Sequence, residues 1–318
     1  DPQMAQRAME IAIAGKSPGS SLEAARLWDA LAGPKSTTSR EVLITLLMLN
    51  GKWEESVEPS INYLSKLKPA DREKFLLQWQ SLISRSTNDD QGIRAFTQII
   101  GAFKPLPNSP ELLFIYALGQ EKDKNYPEME AALKLIIKKN PNDKNALNAL
   151  GYSYADRNIK LQEAYGLISK AYQLSPGDAY ILDSLAWVNF RMGNDQLAAT
   201  QLKKAFEMKP EAEMGAHLGE ILWTLGDKAE ADKVWKKAEE INANDPTLKD
   251  TLRRLRAEWA LPEKFDESIN RRWDGRFAVK INGKTSQDGG SGAFTLDHEA
   301  LNDILEIRGP LGTSEAIL

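Results

Sequence analysis

Three rows of five residues carry whatever site chemistry this chain offers. They are Asn145, Asn148, Tyr152, Ala155 and Asp156; Tyr180, Asp183, Trp187, Phe190 and Arg191; and Glu213, Ala216, Glu220, Trp223 and Thr224. In each row the residues take the same five places of a helix-turn-helix unit, so stacked units would align them on one surface. Aromatic rings interleaved with amides and charges suit a groove for an extended peptide or a partner helix. Rings supply contact area at low entropic cost, and the polar groups set register. The residues expected to touch a partner are Asn145, Asn148, Tyr152, Asp156, Tyr180, Asp183, Trp187, Arg191, Glu220 and Trp223. Packing of the aromatics between neighbouring helices is the competing reading. It weighs equally on Tyr152 and Trp187, and more heavily on Phe190 and Trp223.

Other chemistry is thinly represented. The chain has no cysteine, which removes disulfides, thiolate catalysis and Cys-based zinc sites. Its two histidines, His217 and His298, lie far apart in sequence and give little support to a multi-histidine metal site or a Ser-His-Asp triad. His217 reads as a packed or edge histidine, and His298, after Asp297 in a turn, as a surface residue. The acidic pairs Glu54-Glu55, Asp89-Asp90 and Glu239-Glu240 are adjacent in sequence, so they splay apart on a helix or sit on a turn. Gly289-Gly290-Ser291-Gly292 lacks the lysine and the strand-loop-helix setting of a phosphate loop. The sequence therefore predicts a non-enzymatic protein with no cofactor and no metal.

Bulk properties agree with a partner-binding protein. Of 318 residues, 42% are hydrophobic and 27% charged, as in ordinary globular domains. A net charge of -4 sets up no field that would draw the chain to nucleic acid. No apolar run approaches the roughly 18 residues that span a bilayer. The chain starts at Asp1, which leaves room for a removed signal peptide or lipidated N-terminus.

The elements that would position the three rows come from a repeat. Asn145 to Pro176 reads as helix, turn and helix, with Gly151, Ala164 and Ala171 where helices approach and Leu150, Tyr154 and Ile168 between them. The pattern returns after about 34 residues. Leu185-Ala186, Ala198, Leu202, Ala205 and Pro210 take the same places, then Leu218-Gly219, Ala231, Trp235 and Ala238. Units begin near Ala5, Thr37, Leu76, Pro110, Lys144, Ala179 and Ala212, which makes seven. In the third, Trp79, Leu82 and Ile83 are expected on one helix, Asn88 to Gln91 in a turn, and Ala95, Ile99 and Ala102 on the next helix; Pro69 closes the unit before it. Leu248, Leu252, Leu255 and Trp259 form one apolar face of a last helix, with Lys249, Arg253, Arg254 and Arg256 on the wet face, as a capping helix requires.

This pattern resembles the tetratricopeptide-repeat family. The resemblance implies an all-α, right-handed superhelix of about seven helix-turn-helix units plus a capping helix, with the first helix of each unit lining the concave face. The phrases Asn148-Ala149-Leu150-Gly151-Tyr152, Ile181 to Trp187 and Ala216 to Trp223 are similar to periplasmic repeat lipoproteins that act as adaptors for a carboxy-terminal-processing protease. That likeness implies an adaptor in the bacterial envelope, periplasmic or anchored to the outer membrane. Its partners would be protein partners, namely a processing protease or a cell-wall hydrolase. The Lys and Arg pattern of the carboxylate clamp found in chaperone-binding repeats is absent.

After Ala260 the texture changes. The expected division is a solenoid over 1–259, a linker over 260–272 and a short C-terminal antiparallel β segment over 273–318. Phe277, Val279 and Ile281 alternate on one face, Ser291 to Leu296 reads as a second strand, Leu305 to Arg308 as part of a third, and Gly309 to Glu315 as a tight loop. Trp273 to Val279, Ser291 to Phe294 and Gly309-Pro310-Leu311-Gly312-Thr313 resemble the opening of the LolB family of outer-membrane lipoprotein receptors. Members fold as an open antiparallel barrel that holds lipoprotein acyl chains. The resemblance implies that Leu311 touches the membrane, against a loop leucine folded onto the sheet. It also implies an alternative function, lipoprotein localisation with membrane or lipoprotein contact. A barrel needs its remaining strands to close a cavity, so the resemblance implies either a truncated chain or a vestige of that fold.

Overall fold

The computed structural model describes residues 1–83 and 89–257, and five short strands between 280 and 317. The chain divides into two compact units, Asp1–Arg254 and Leu255–Leu318. The first holds helices only: α1 (Pro2–Ala14), α2 (Pro18–Ala32), α3 (Thr37–Leu49), α4 (Trp53–Leu64), α5 (Pro69–Gln80), α6 (Asp89–Gly101), α7 (Pro110–Lys122), α8 (Tyr126–Lys139), α9 (Lys144–Asp156), α10 (Leu161–Leu174), α11 (Ala179–Arg191), α12 (Asp195–Met208), α13 (Ala212–Thr224), α14 (Lys228–Asn242) and α15 (Pro246–Ala257), the last running past Arg254.

Local sequence explains where the helices begin. Asp1, Ser36, Ser109, Asp143, Asp178 and Asp227 cap helices through their side-chain oxygens, each accepting from a backbone N–H of the first turn. Proline occupies the first turn of α1, α2, α5, α7 and α8, where its missing N–H costs nothing. Inside six of the pairs the turn holds a residue in a left-handed conformation: Lys16, Gly51, Lys124, Asn158 together with Lys160, Gly193 and Gly226. Glycine meets this demand freely, whereas lysine and asparagine meet it with strain.

The pairs stack through close approach and large apolar fillers. A Cβ at Gly151 would lie 2.6 Å from Ile168 Cγ1, and one at Gly219 would lie 2.0 Å from Trp235 Nε1, so only glycine fits either place. Trp53, Trp79, Trp235, Tyr154 and Phe96 are fully buried and fill the layers between helices. In the C-terminal half α9 packs directly on α11, and α11 touches α13, while α10, α12 and α14 make no comparable contacts with one another. First helices of the pairs therefore crowd together and second helices splay apart, which puts the first helices on the inside of the curve.

Expectations for the third pair are corrected at its start, at the end of its first helix, in its turn and at Ala102, which lies just past the end of α6. The pair begins at Pro69, which opens α5, and Leu82 and Ile83 lie beyond the end of α5. Asp89, Asp90 and Gln91 belong to α6 instead of a turn. Pro69 is a good first-turn residue, and Lys68 before it takes the extended conformation that proline favours in its predecessor.

In the second unit, β1 (Lys280–Ile281) pairs antiparallel with β2 (Lys284–Thr285). Separately, β3 (Ala293–Asp297), β4 (Ile304–Gly309) and β5 (Gly312–Ile317) form an antiparallel meander, with Phe294 opposite Ile307 and Gly309 opposite Gly312. β5 covers residues read from sequence as loop. Trp259, His298, Leu311, the stretch 260–272 and Trp273 to Val279 lie outside the described residues.

Candidate partner-binding face

The three rows fall on α9, α11 and α13, and the structure sorts them by depth. Asn145, Asp156 and Tyr180 are exposed, and Asn148, Tyr152 and Arg191 are half-buried. Asp183, Trp187, Glu220 and Trp223 are buried, at 6%, 4%, 7% and 8% exposure. Those four were expected on the partner surface, and they lie instead between repeats. The reason is the close approach of the inner helices: Ala155, Ala186 and Ala216 are fully buried, so neighbouring backbones come near enough to cover the side chains between them. Phe190 is half-buried and packs on Trp187, with ring centroids 5.4 Å apart.

What the buried residues build is a polar cluster across three repeats. The Tyr152 hydroxyl donates to Glu213 Oε1 at 2.9 Å and lies 3.4 Å from His217 Nε2. His217 Nδ1 lies 3.0 Å from Asp183 Oδ1. Trp187 stacks on the imidazole at 4.2 Å and 21°. Burial alone would pull the His217 pKa down, but the carboxylates of Asp183, Glu213 and Asp156 push it to about 9. The ring is therefore an imidazolium at neutral pH, donating to Asp183 and stacked against an electron-rich indole. Burial raises the Tyr152 hydroxyl well above the usual range, and Glu213 and Asp183 add to that.

Acidity collects beside this cluster. Burial raises the Glu213 carboxyl above the usual carboxylate range; the His217 charge opposes and Asp183 reinforces. Glu121, on α7, is raised chiefly by burial, with Asp156 and Glu213 adding to the rise. One repeat further on, Glu220 accepts from Arg254 Nη1 at 3.1 Å and Nη2 at 2.6 Å, a paired charge. Trp223 packs on Trp235 at 5.5 Å, with the Lys228 ammonium 4.7 Å from its ring centre.

Among the described residues of α9 and α11, four side-chain polar atoms are buried without a hydrogen-bond partner: Asn148 Oδ1, Ser153 Oγ, Trp187 Nε1 and Arg191 Nε. The Arg191 guanidinium lies 5.7 Å from the centre of the Trp187 ring. Sequence reading weighed His217 as a packed or edge residue, placed Arg254 on the wet face of the capping helix, and passed over Glu121. A signal was available, because Asp183 and His217, like Glu220 and Arg254, are separated by 34 residues, one repeat. Among the described residues no group of three or more His, Asp and Glu is placed to hold a metal, and no helix is long and apolar enough to cross a membrane.

Comparison with known proteins agrees with the helical architecture. No family model matches the chain. A tetratricopeptide-repeat-containing protein of Pseudomonas aeruginosa is 38% identical over 146 residues, which is 46% of this chain. The crystal structure of a tetratricopeptide repeat protein from Parabacteroides merdae aligns with a TM-score of 0.54 at 19% identity, covering 79% of this chain and 97% of that one. The fold is a tetratricopeptide-repeat solenoid. A thermophilic tetratricopeptide protein from Thermus thermophilus covers 59% of this chain and 98% of its own, with 19% identity and a TM-score of 0.45. The stretch matched in the Pseudomonas protein amounts to 24% of that protein's length. Tetratricopeptide arrays generally mediate protein–protein interaction, and the inner helices of this solenoid carry the polar cluster and its acidic flank.

Proposed function

We propose that this chain is a non-enzymatic scaffold that binds a partner protein along the inner helices α7, α9, α11 and α13. The observation that carries the reading is the set of unsatisfied groups at half-buried or buried inner positions: Asn148 Oδ1, Trp187 Nε1 and Arg191 Nε. Buried polar atoms without partners cost about 1–3 kcal/mol each, and native folds keep few of them. An extended peptide offers alternating donors and acceptors that relieve such groups. The residues at the surface of the row are Asn145, Asn148, Tyr152, Asp156 and Arg191, with Tyr180 at its edge. Asp183, Trp187, Glu220 and Trp223 support them from beneath.

The finer reading is an adaptor in the bacterial cell envelope, periplasmic or anchored to the outer membrane, that brings a carboxy-terminal-processing protease to a cell-wall hydrolase. Its support is the likeness of the inner-helix phrases to such adaptors. Affinity capture from envelope extract tests it, comparing the wild type with Arg191→Ala and Asp156→Ala. Recovery of a processing protease that drops severalfold with either variant is the expected result. Equal recovery by all three proteins removes the inner-face reading.

The antiparallel pairing of β3, β4 and β5 favours a second reading, in which the C-terminal unit is a LolB-like module for lipoprotein localisation with Leu311 as its membrane-touching residue. Co-sedimentation with vesicles of outer-membrane lipids, lost in Leu311→Asp, is its expected signature.

A further inference from the structure

The charges of the inner row are unequally paired. Asp183 is matched by His217, and Glu220 by Arg254. Among the described residues Glu121, Asp156 and Glu213 form no ion pair with a lysine or arginine, although Asp156 and Glu213 both act on Glu121. Arg191 is the basic residue of the same row, and it leans on the Trp187 ring with its Nε unsatisfied. The His217 charge also faces Glu213, which the Tyr152 hydroxyl ties to α9 at 2.9 Å, and Arg157 acts on Glu121 from beside the row. Counting Asp183, four carboxyls thus stand against the His217 imidazolium and the Arg191 guanidinium, which leaves the row acidic. Two of them, Glu121 and Glu213, are partly withdrawn from water, where an opposite charge is worth more than at an exposed site. The buried acceptor Asn148 Oδ1 and the buried donor Trp187 Nε1 have no partner either, and Trp187 is only 4% exposed. Carboxyls short of cations would be matched by basic side chains. The half-buried orphans, an acceptor on Asn148 and a donor on Arg191, would be matched by peptide N–H and C=O groups.

We propose that the inner row takes an extended basic segment of a partner protein. An arginine or lysine of that segment sits among Glu121, Asp156 and Glu213, and its backbone pairs with the half-buried Asn148 and Arg191 once the Arg191 side chain swings off the indole. The inference rests on the inner-face reading above and adds the chemistry of the occupant. Acidic segments meet like-charge repulsion from the same carboxyls, so the row discriminates by sign as well as by shape.

The test uses the full chain and labelled Gly/Ser/Ala peptides about three repeats in reach, identical except for a central pair of arginines, glutamines or glutamates. Fluorescence anisotropy reads binding at low salt and at about 0.3 M salt. The arginine peptide is expected to bind at least about tenfold tighter than the glutamine peptide, with an advantage that shrinks as salt rises. Asp156→Asn, at an exposed position and so safe for folding, and Glu121→Gln should each weaken the arginine peptide severalfold and leave the glutamine peptide unchanged. Equal binding of the arginine and glutamine peptides, both weakened by Arg191→Ala, overturns the basic-segment inference and leaves the inner-face reading standing. Preference for the glutamate peptide also overturns it. Failure of all three peptides to bind overturns both.

Discussion

Asp183 and His217 stand one repeat apart in sequence and 3.0 Å apart in space, and their pairing gives the solenoid a titratable tie. The His217 pKa is raised from 6.5 to about 9. A raised histidine stabilises the fold fully below its unfolded value, and that contribution is lost as pH rises through the folded value. The melting temperature should therefore decline between pH 6.5 and about 9.5. In His217→Gln it should start lower at pH 6.5 and show a shallower decline. Parallel declines in the two proteins would show that His217 is not the titrating group. Gly219 makes a second residue-scale prediction. A methyl group there meets Trp235, which is fully buried and donates from Nε1 to the Ala216 carbonyl at 3.3 Å. Gly219→Ala should cost about 2–3 kcal/mol in urea unfolding. Gly166→Ala, on exposed surface of α10 with nothing within 4 Å, should gain a few tenths to about 1 kcal/mol. Gly219, like Gly151, was legible as a close-approach position because the repeat spacing there is regular. The imidazolium cluster was not, because its members come from three repeats and their burial depends on how near the inner helices lie.

At the scale of the helix pair, the turn residue decides local cost. Gly51, Gly193 and Gly226 occupy the left-handed turn freely, while Lys124 and Asn158 hold the same geometry with a side chain. Lys124→Gly and Asn158→Gly should each raise stability by about 0.5–1 kcal/mol, seen as a higher melting temperature; a loss at either site would mean the side chain contributes more than its backbone strain costs. Helix pairs from α7 to α14 could be read from sequence because small residues at close approach, large fillers and capping residues recur in register. The third pair misled because its period is irregular. Pro69 is both a good terminator and a good first-turn residue, and nothing local decides between those uses. The inner row was legible as a set of positions, yet its depth was not. Alanine at the neighbouring inner positions lets helices close over Trp187 and Asp183, and periodicity alone does not report how far they close.

Over the whole molecule, stability is a sum of pair and neighbour terms, because each pair contacts mainly the pairs beside it. Damage should stay local. In Gly219→Ala, hydrogen exchange should quicken in α13 and α14 while α3 and α4 keep their protection; uniform loss of protection would mean the array unfolds as one unit. The same one-dimensional build explains how a partner could be held. Residues from α7 to α13 contribute successive contacts along a line, and no single helix makes a site. Site-directed photo-crosslinking tests that claim most directly. A photoreactive residue at Asp156, on the inner helix α9, is compared in envelope extract with one at Glu163, exposed on the outer helix α10 of the same pair. The account predicts a discrete crosslinked partner band from position 156 that is weakened by Arg191→Ala, and none from position 163. The same band from position 163 alone, or from both positions without dependence on Arg191, would contradict it.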